Sequence, residues 1–302
     1  MSEQKKTGSG SPGPERNLTS NIKTALILNS GFILLEIAGG ILTNSMAILS
    51  DALHDLGDSL SLGLAWYFQK VSGRRKDTRF SFGYKRFSLL GAVINSMVLL
   101  VGSIFILLET IPRLFEPEIT KPGGMLLLAL LGVGVNGMAA LRLKKGISIN
   151  EKVVSLHFWE DVLGWMAVLI GSVVMIFVDL PVIDPILSVA ITFFIVFNVM
   201  KNLKKSFRVF LQGVPMDTDI ESIKRQVLNL PGVDSIHDLH IWSMDGQYNI
   251  LTLHLVSNEV NDYPKIQTIK KHIKQLLTNL NIDHITIEVD SPGNECSLDS
   301  CS

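Results

Sequence analysis

The sequence predicts a membrane protein in two parts: an all-α bundle of six transmembrane helices, then a small cytoplasmic α+β domain in the order αββαβ. Three observations carry that prediction. Hydrophobic residues fill 47% of the 302 positions and charged residues only 18%, too apolar a mix for one soluble domain. The apolar residues gather into six runs, each near the roughly 20 residues a helix needs to cross hydrocarbon. Beyond Arg208 the apolar density falls, and short periodic stretches separated by turn signals replace the long runs.

The elements follow in order. Residues 1–21 are polar and rich in Ser, Gly and Lys, with no signal-peptide pattern, and are expected to form a disordered cytosolic leader. The transmembrane domain is assigned to 22–208, with spans at 23–43, 46–69, 87–111, 124–143, 153–178 and 182–200. Basic residues crowd the second-to-third connection (Lys70, Arg74, Arg75, Lys76, Arg79, Lys85, Arg86), the fourth-to-fifth (Arg142, Lys144, Lys145, Lys152) and the exit of the sixth span. The opposite loops hold only Arg113 and Lys121, so the positive-inside rule puts both termini in the cytoplasm. In the cytoplasmic domain, 209–291, a helix is predicted over Asp219–Leu230, with Ile220, Ile223, Val227 and Leu230 on one stripe. Pro231-Gly232 stops it. Strands over Ser235–Met244 and Tyr248–Val256 flank a hairpin signal at Asp245-Gly246. A second amphipathic helix over Pro264–Leu280 precedes an alternating strand, Ile285–Asp290. Residues 292–302 read as a flexible tail.

Composition also excludes. The net charge of −1 is segregated along the chain, and nothing points to nucleic acid. Cys296 and Cys301 both lie in the tail, so no disulfide framework holds the fold. There is no Gly-x-x-x-x-Gly-Lys-Ser/Thr and no soluble domain large enough to hydrolyse ATP. His-Glu-x-x-His is absent too, so an intramembrane metalloenzyme is not expected.

The second span, Ser45–Tyr67, carries Asp51, His54, Asp55 and Asp58. An ionisable side chain near the bilayer centre costs roughly 2.5–3.5 kcal/mol on the forgiving insertion scale, so four in one span need a reason. His54 and Asp58 stand four apart, about 40° from each other on one helix face. The spacing returns in the fifth span as His157 and Asp161. Two imidazoles and two carboxylates make a closed four-ligand site suited to zinc, whereas carboxylate and water alone favour manganese or magnesium. Asp51 is read as an acceptor orienting His54, and Asp55 as facing a cavity or a neighbouring helix. Glu160 points about 100° away from Asp161 and is set outside the ligand shell. Glu36 is the expected polar cavity residue of the first span, while Asn29, Asn95 and Asn136 are assigned to helix packing. A histidine must be neutral to bind metal, so loading releases protons and protons evict metal, around the imidazole pKa of about 6.5. These features imply a proton-exchanging carrier of divalent metal, not an enzyme. The alternatives are a passive divalent cation channel and a membrane-anchored metal sensor.

The chain resembles the cation diffusion facilitator family of the zinc-transporting type, over about residues 20–290. The resemblance is carried by Glu36-Ile-Ala-Gly-Gly40, Ser50-Asp-Ala-Leu-His-Asp-Leu-Gly-Asp58 and Phe82-Gly-Tyr84. His157-x-x-x-Asp161, Asp184-Pro185, Leu211-Gln-Gly-Val-Pro215 and His237-Asp-Leu-His-Ile-Trp242 continue it. It implies a metallochaperone-like αββαβ domain, a homodimer in the lipid bilayer, and efflux of Zn2+ by proton antiport with alternating access. Cd2+, Co2+, Fe2+, Ni2+ and Mn2+ remain possible cargo. His54, Asp58, His157 and Asp161 match the family's transport site. Family cytoplasmic domains bind metal between protomers, which marks His237, His254, Glu288 and Asp290 here, with His284 on the same strand face as the last two. His240 and Trp242 are assigned to the sheet and its interface, and His272 to the surface. Cys296 and Cys301 offer a weaker thiolate pair. The basic loops contain no histidine, which argues against a loop metal site. Short loops and the missing His-rich insert suggest a bacterial plasma membrane.

Overall fold

Long apolar runs with no mid-run Pro close every backbone hydrogen bond within themselves as helices, the form lipid demands of a lone segment. The computed structural model describes residues 30–144 and 149–293. The side chains of 142–144 and 149–157, the predicted leader, Asn29, Cys296 and Cys301 lie outside the described residues. The first six helices are α1 (Ser30–Thr43), α2 (Met46–Ser72), α3 (Phe87–Phe115), α4 (Pro122–Lys144), α5 (Ile149–Val178) and α6 (Ile183–Phe210). Among the described residues, four helices are long and apolar enough to cross a membrane: α3, α6, and the apolar stretches Pro122–Leu141 and Phe158–Val178. Helix α2 has the length, 27 residues, but carries three aspartates and a histidine in its first half. Helix α6 runs ten residues past the predicted end at 200, because its charged last turns stay helical beyond the apolar run.

The described chain forms two compact units. The first holds the residues up to Leu64 and Ile94–Met200. In it Phe32 of α1, Ala47 and Ile48 of α2, Met125 and Ala129 of α4, and Trp165, Val168 and Met175 of α5 pack into one buried cluster. Trp165 is its largest member, with Phe32 edge-on at 5.6 Å between ring centroids. Gly132 of α4 lies flat against the indole, and a Cβ there would collide with the ring. Gly57 does the same for Leu99, so glycine lets α2 and α3 approach closely, as small residues do between membrane helices.

The start of α2 is pinned by Asp184, near the start of α6. One carboxylate oxygen accepts from Met46 N at 2.7 Å; the other accepts from Ser45 Oγ at 2.5 Å and Ala47 N at 3.3 Å. These amides belong to the helix turn that has no internal acceptors, and Asp184 is buried. Arg113 braces the preceding turn by donating to Asn44 Oδ1 at 2.9 Å while pairing with Glu109 and Glu118. Further in, Ser50, Ser188, Thr110 and Thr192 join α2, α3 and α6 through hydroxyl contacts of 2.7–3.3 Å.

The second unit holds Ala65–Val93 and the chain from Lys201. Its later elements are α7 (Ile220–Leu228), β1 (Ser235–Ser243), β2 (Asn249–Val256), α8 (Tyr263–Asn279) and β3 (His284–Asp290). Asp219 caps α7 by accepting from Ser222 N, and Asp262 caps α8 by accepting from Lys265 N, with Pro264 in the first turn. The sheet order is β1-β2-β3, with β1 and β2 antiparallel and β2 and β3 parallel. Ile223 and Val227 of α7, Ile266, Ile269, Ile273 and Leu277 of α8, and Leu251, Leu253 and Leu255 of β2 fill the core. Each such side chain contributes roughly 1.5–3 kcal/mol on full burial. Both helices therefore cover one sheet face, as predicted for αββαβ.

The α2–α3 connection folds around Asp77. Its carboxylate accepts from the Tyr84 hydroxyl at 2.7 Å and from the amides of Arg79 and Phe80. The Tyr84 hydroxyl first, then those amides, hold the Asp77 carboxyl below its ordinary value, and Asp77 pushes the Tyr84 phenol up. Gly83 takes φ +77, which only glycine adopts without strain. The turn presents Phe82 to the His284 ring at 5.5 Å and Lys85 to the Tyr248 ring at 4.1 Å.

Asp184→Ala should lower the stability of the helical unit by about 3 kcal/mol, since buried donors lose a charged acceptor. Asp184→Asn should cost less. Thermal unfolding in detergent, followed by circular dichroism, checks this; an unchanged midpoint for the Ala variant rejects the pinning role.

Candidate metal centres

The i,i+4 spacing of α2 puts His54 and Asp58 on one face, with Nε2 of His54 at 3.7 Å from Oδ2 of Asp58. Both side chains are partly exposed, and the His54 ring meets Phe194 of α6 edge-on at 6.4 Å. Asp161 on α5 is only 2% exposed. Asp51 and Asp58 of α2 lie within electrostatic reach of it across the α2–α5 boundary. The two helices touch at Gly164, where a Cβ would sit 3.3 Å from Oδ1 of Asp51. His157 lies four residues before Asp161 on the same helix, and its side chain lies outside the described residues. The structure thus brings His54, Asp58, Asp51 and Asp161 to one α2–α5 seam.

A wider set of buried acids surrounds that seam. Glu36 is 0% exposed, and Asp51 and Asp55 are nearly so. Glu36 faces Asp51, Asp55, Asp161 and Trp165. No Lys or Arg occurs in Ser30–Thr43, residues 46–64 or Phe158–Val178. Asn95 and Asn136 are buried as well, in α3 and α4.

The second group lies on the sheet face that α7 and α8 leave uncovered. His237 and His254 are cross-strand partners on β1 and β2, with ring centroids 5.0 Å apart. Oδ2 of Asp290 stands 3.1 Å from Nδ1 of His254 and 3.4 Å from Nε2 of His237. Donor atoms of these three residues all fall within 4.8 Å of one another. Glu288 shares the face, as alternation predicts, but its Oε2 lies 3.5 Å from Nε2, the other ring nitrogen of His254, and it is 67% exposed. His284 is engaged by Phe82, and His240 by Asp238 at 2.8 Å. His272 is exposed on α8 among lysines.

Comparison with known proteins follows this division. The model of the cation efflux transmembrane domain matches residues 22–211, and that of the cation efflux protein cytoplasmic domain matches 215–292. The metal cation efflux system protein CzcD of Cupriavidus metallidurans is 34% identical over 92% of this chain and 87% of its own. A cadmium, cobalt and zinc/H(+)-K(+) antiporter of Bacillus subtilis is 32% identical over 93% of both chains. The zinc transporter ZitB of Escherichia coli is 30% identical over 94% of this chain and 92% of its own. A solved metal-bound C-terminal domain of the Cupriavidus CzcD covers 24% of this chain and 99% of its own, at 32% identity and a TM-score of 0.22. The chain belongs to the cation efflux, or cation diffusion facilitator, family. It is a multi-pass membrane transporter of divalent metal cations, not an enzyme.

Two contributors are not evident in the sequence pattern alone. Asp184 stands over a hundred residues from the helix it caps, so only the fold reveals its partners. Asp238 reaches the open sheet face through an irregularity that strand alternation hides.

Gly164→Val should push Asp51 and α2 away from α5, because the added Cβ alone already reaches 3.3 Å from the Asp51 carboxylate. The expected outcome is a dimer that still folds but binds zinc at least tenfold more weakly, read by calorimetry on the detergent-solubilised protein. Parental affinity counts against the α2–α5 seam as the place where metal sits.

Proposed function

We propose that this protein exports zinc from the cytoplasm by exchange for protons, holding the ion at His54, Asp58, His157 and Asp161 while access alternates between the two sides. The observation that carries this reading is the His54–Asp58 pair on α2 together with the buried Asp161 on α5, where the two helices approach through Gly164. A cluster of acids in low dielectric must hold protons or a cation, because unpaired charges there are expensive. Imidazole and carboxylate donors select zinc, with cadmium, cobalt, nickel, iron and manganese as lesser cargo. Proton exchange follows from the ligands: neutral imidazole binds metal, and imidazolium cannot. The name of the Bacillus relative, a metal/H(+)-K(+) antiporter, supports coupling to a proton gradient.

In the same reading, residues 22–208 form the transport domain and 209–291 the domain that pairs two copies. His237, His254 and Asp290 hold a regulatory zinc there; two imidazoles and a carboxylate within 4.8 Å fit that ion. Both termini lie in the cytoplasm, and the membrane is a bacterial plasma membrane. A passive channel is the second reading, and the closed ligand set disfavours it, since a tight cage releases zinc too slowly to conduct.

Asp58→Ala and Asp161→Ala should each reduce zinc-for-proton exchange in proteoliposomes to background while the protein stays dimeric on size exclusion. Full transport by either variant removes its residue from the site. His54→Asp should move preference from zinc toward manganese, measured with a panel of metals under an imposed pH gradient. An unchanged metal ranking rejects His54 as a ligand.

A further inference from the structure

We propose that Asp238 is the positioning residue of the cytoplasmic metal centre: it engages Nε2 of His254, which turns Nδ1 toward His237 and Asp290 as the metal donor. The proposal rests on the reading of that centre given above. In a regular strand neighbouring side chains point to opposite faces, so with His237 on the open face Asp238 would point into the core. It does not. The β1–β2 ladder slips between His237 and His240: His237 pairs with His254 and His240 with Thr252, three steps on one strand against two on the other. That is a β-bulge, a device that re-aims side chains beside functional sites. Within it Asp238 adopts φ +50, the left-handed region that Asp and Asn tolerate better than most residues.

The bulge brings Oδ2 of Asp238 to 3.6 Å from Nε2 of His254, while Oδ1 stays fixed on Nε2 of His240 at 2.8 Å. At that distance the first contact is electrostatic rather than a hydrogen bond. The other groups facing His254 are Glu288 at its Nε2 and Asp290 at its Nδ1, with His237 beside it. A neutral imidazole carries one N–H, and an acceptor held at one nitrogen keeps the proton there and leaves the other's lone pair for metal. Asp238 is the better-held of the two acids at Nε2, being half as exposed as Glu288 and anchored by His240. His240 therefore serves the centre indirectly, by holding Asp238. Partners of this kind typically change metal affinity by about 10- to 100-fold.

The test uses the full-length protein in detergent, zinc titrated against a chromophoric chelator, and histidine 15N chemical shifts that report which ring nitrogen is protonated. Asp238→Asn keeps a residue suited to the left-handed bulge but removes the charge. It should weaken the cytoplasmic site at least tenfold and leave His254 without a single tautomer, with a smaller loss for Glu288→Gln. His254→Ala and His237→Ala should each remove that zinc altogether. Parental affinity and tautomer in Asp238→Asn, with the zinc still lost in His254→Ala, overturn the role of Asp238 alone. Unchanged zinc stoichiometry in both histidine variants overturns the centre itself, and the role of Asp238 with it.

Discussion

The constraint on which the helical unit depends is the presence of acidic side chains in a medium that cannot solvate them. Glu36, Asp51, Asp55 and Asp161 are buried, and Ser30–Thr43, residues 46–64 and Phe158–Val178 contain no Lys or Arg. A soluble protein of this size would neutralise such a cluster with arginine, or lose it to hydrophobic replacements that are often no less stable. In low dielectric such acids are kept neutral by a proton or balanced by a counter-charge. In the proposed function a divalent ion and protons compete for these donors, and that mutually exclusive occupancy is the physical content of exchange.

Such a site works only if its ligands are held in register, and the structure puts rigidity where α2 begins. Asp184 terminates the free amides of α2, Arg113 secures the turn before it, and the hydroxyls of Ser50, Ser188, Thr110 and Thr192 lash α2 to α3 and α6. Polar contacts between membrane helices are individually modest, about 0.6 kcal/mol on average, so the charged cap matters most. Glycine provides the complementary freedom. Gly132 lets the Trp165 indole lie against α4, and Gly164 lets Asp51 approach α5 without a side chain between them. The stretch from His54 to Asp58 is thereby fixed at its entry and kept close to α5 along its flank.

Helix-borne features were legible in the sequence because period and spacing alone specify them. The His54–Asp58 pair, the six helical runs, the amphipathic stripes of α7 and α8, and the αββαβ order all follow from local rules. What the sequence concealed was tertiary or irregular. Helix α6 outruns its apolar segment, because hydropathy marks where lipid ends rather than where a helix ends. Asp184 reads as a helix-start residue, yet its hydrogen bonds go to a different helix. Strict alternation nominates Glu288 alongside Asp290, but strand twist and side-chain length bring them to opposite nitrogens of one imidazole. The same alternation assigns Asp238 to the core. One extra residue in β1 reverses that assignment, and no periodicity argument detects a single bulge.

The two centres use similar donors at different depths, and depth determines what similar chemistry can do. Asp161 is buried, so charges near it are felt strongly, and binding metal without releasing protons would add charge that low dielectric does not screen. In the proposed exchange, metal and proton are therefore tied together there by electrostatics. On the open sheet face, His237, His254 and Asp290 are each 17–22% exposed, so solvent screens them and a bound ion can exchange with the surroundings without such a penalty. In the proposed function a centre of that kind reports metal concentration rather than moving metal. Its threshold is set by how well the imidazoles are oriented, and orientation is what a bulge with a held carboxylate supplies. In the proposed function the buried site uses four converging ligands because it must replace a hydration shell entirely. The exposed one can leave a coordination position to water or to a second chain, which makes its affinity depend on neighbours rather than on burial.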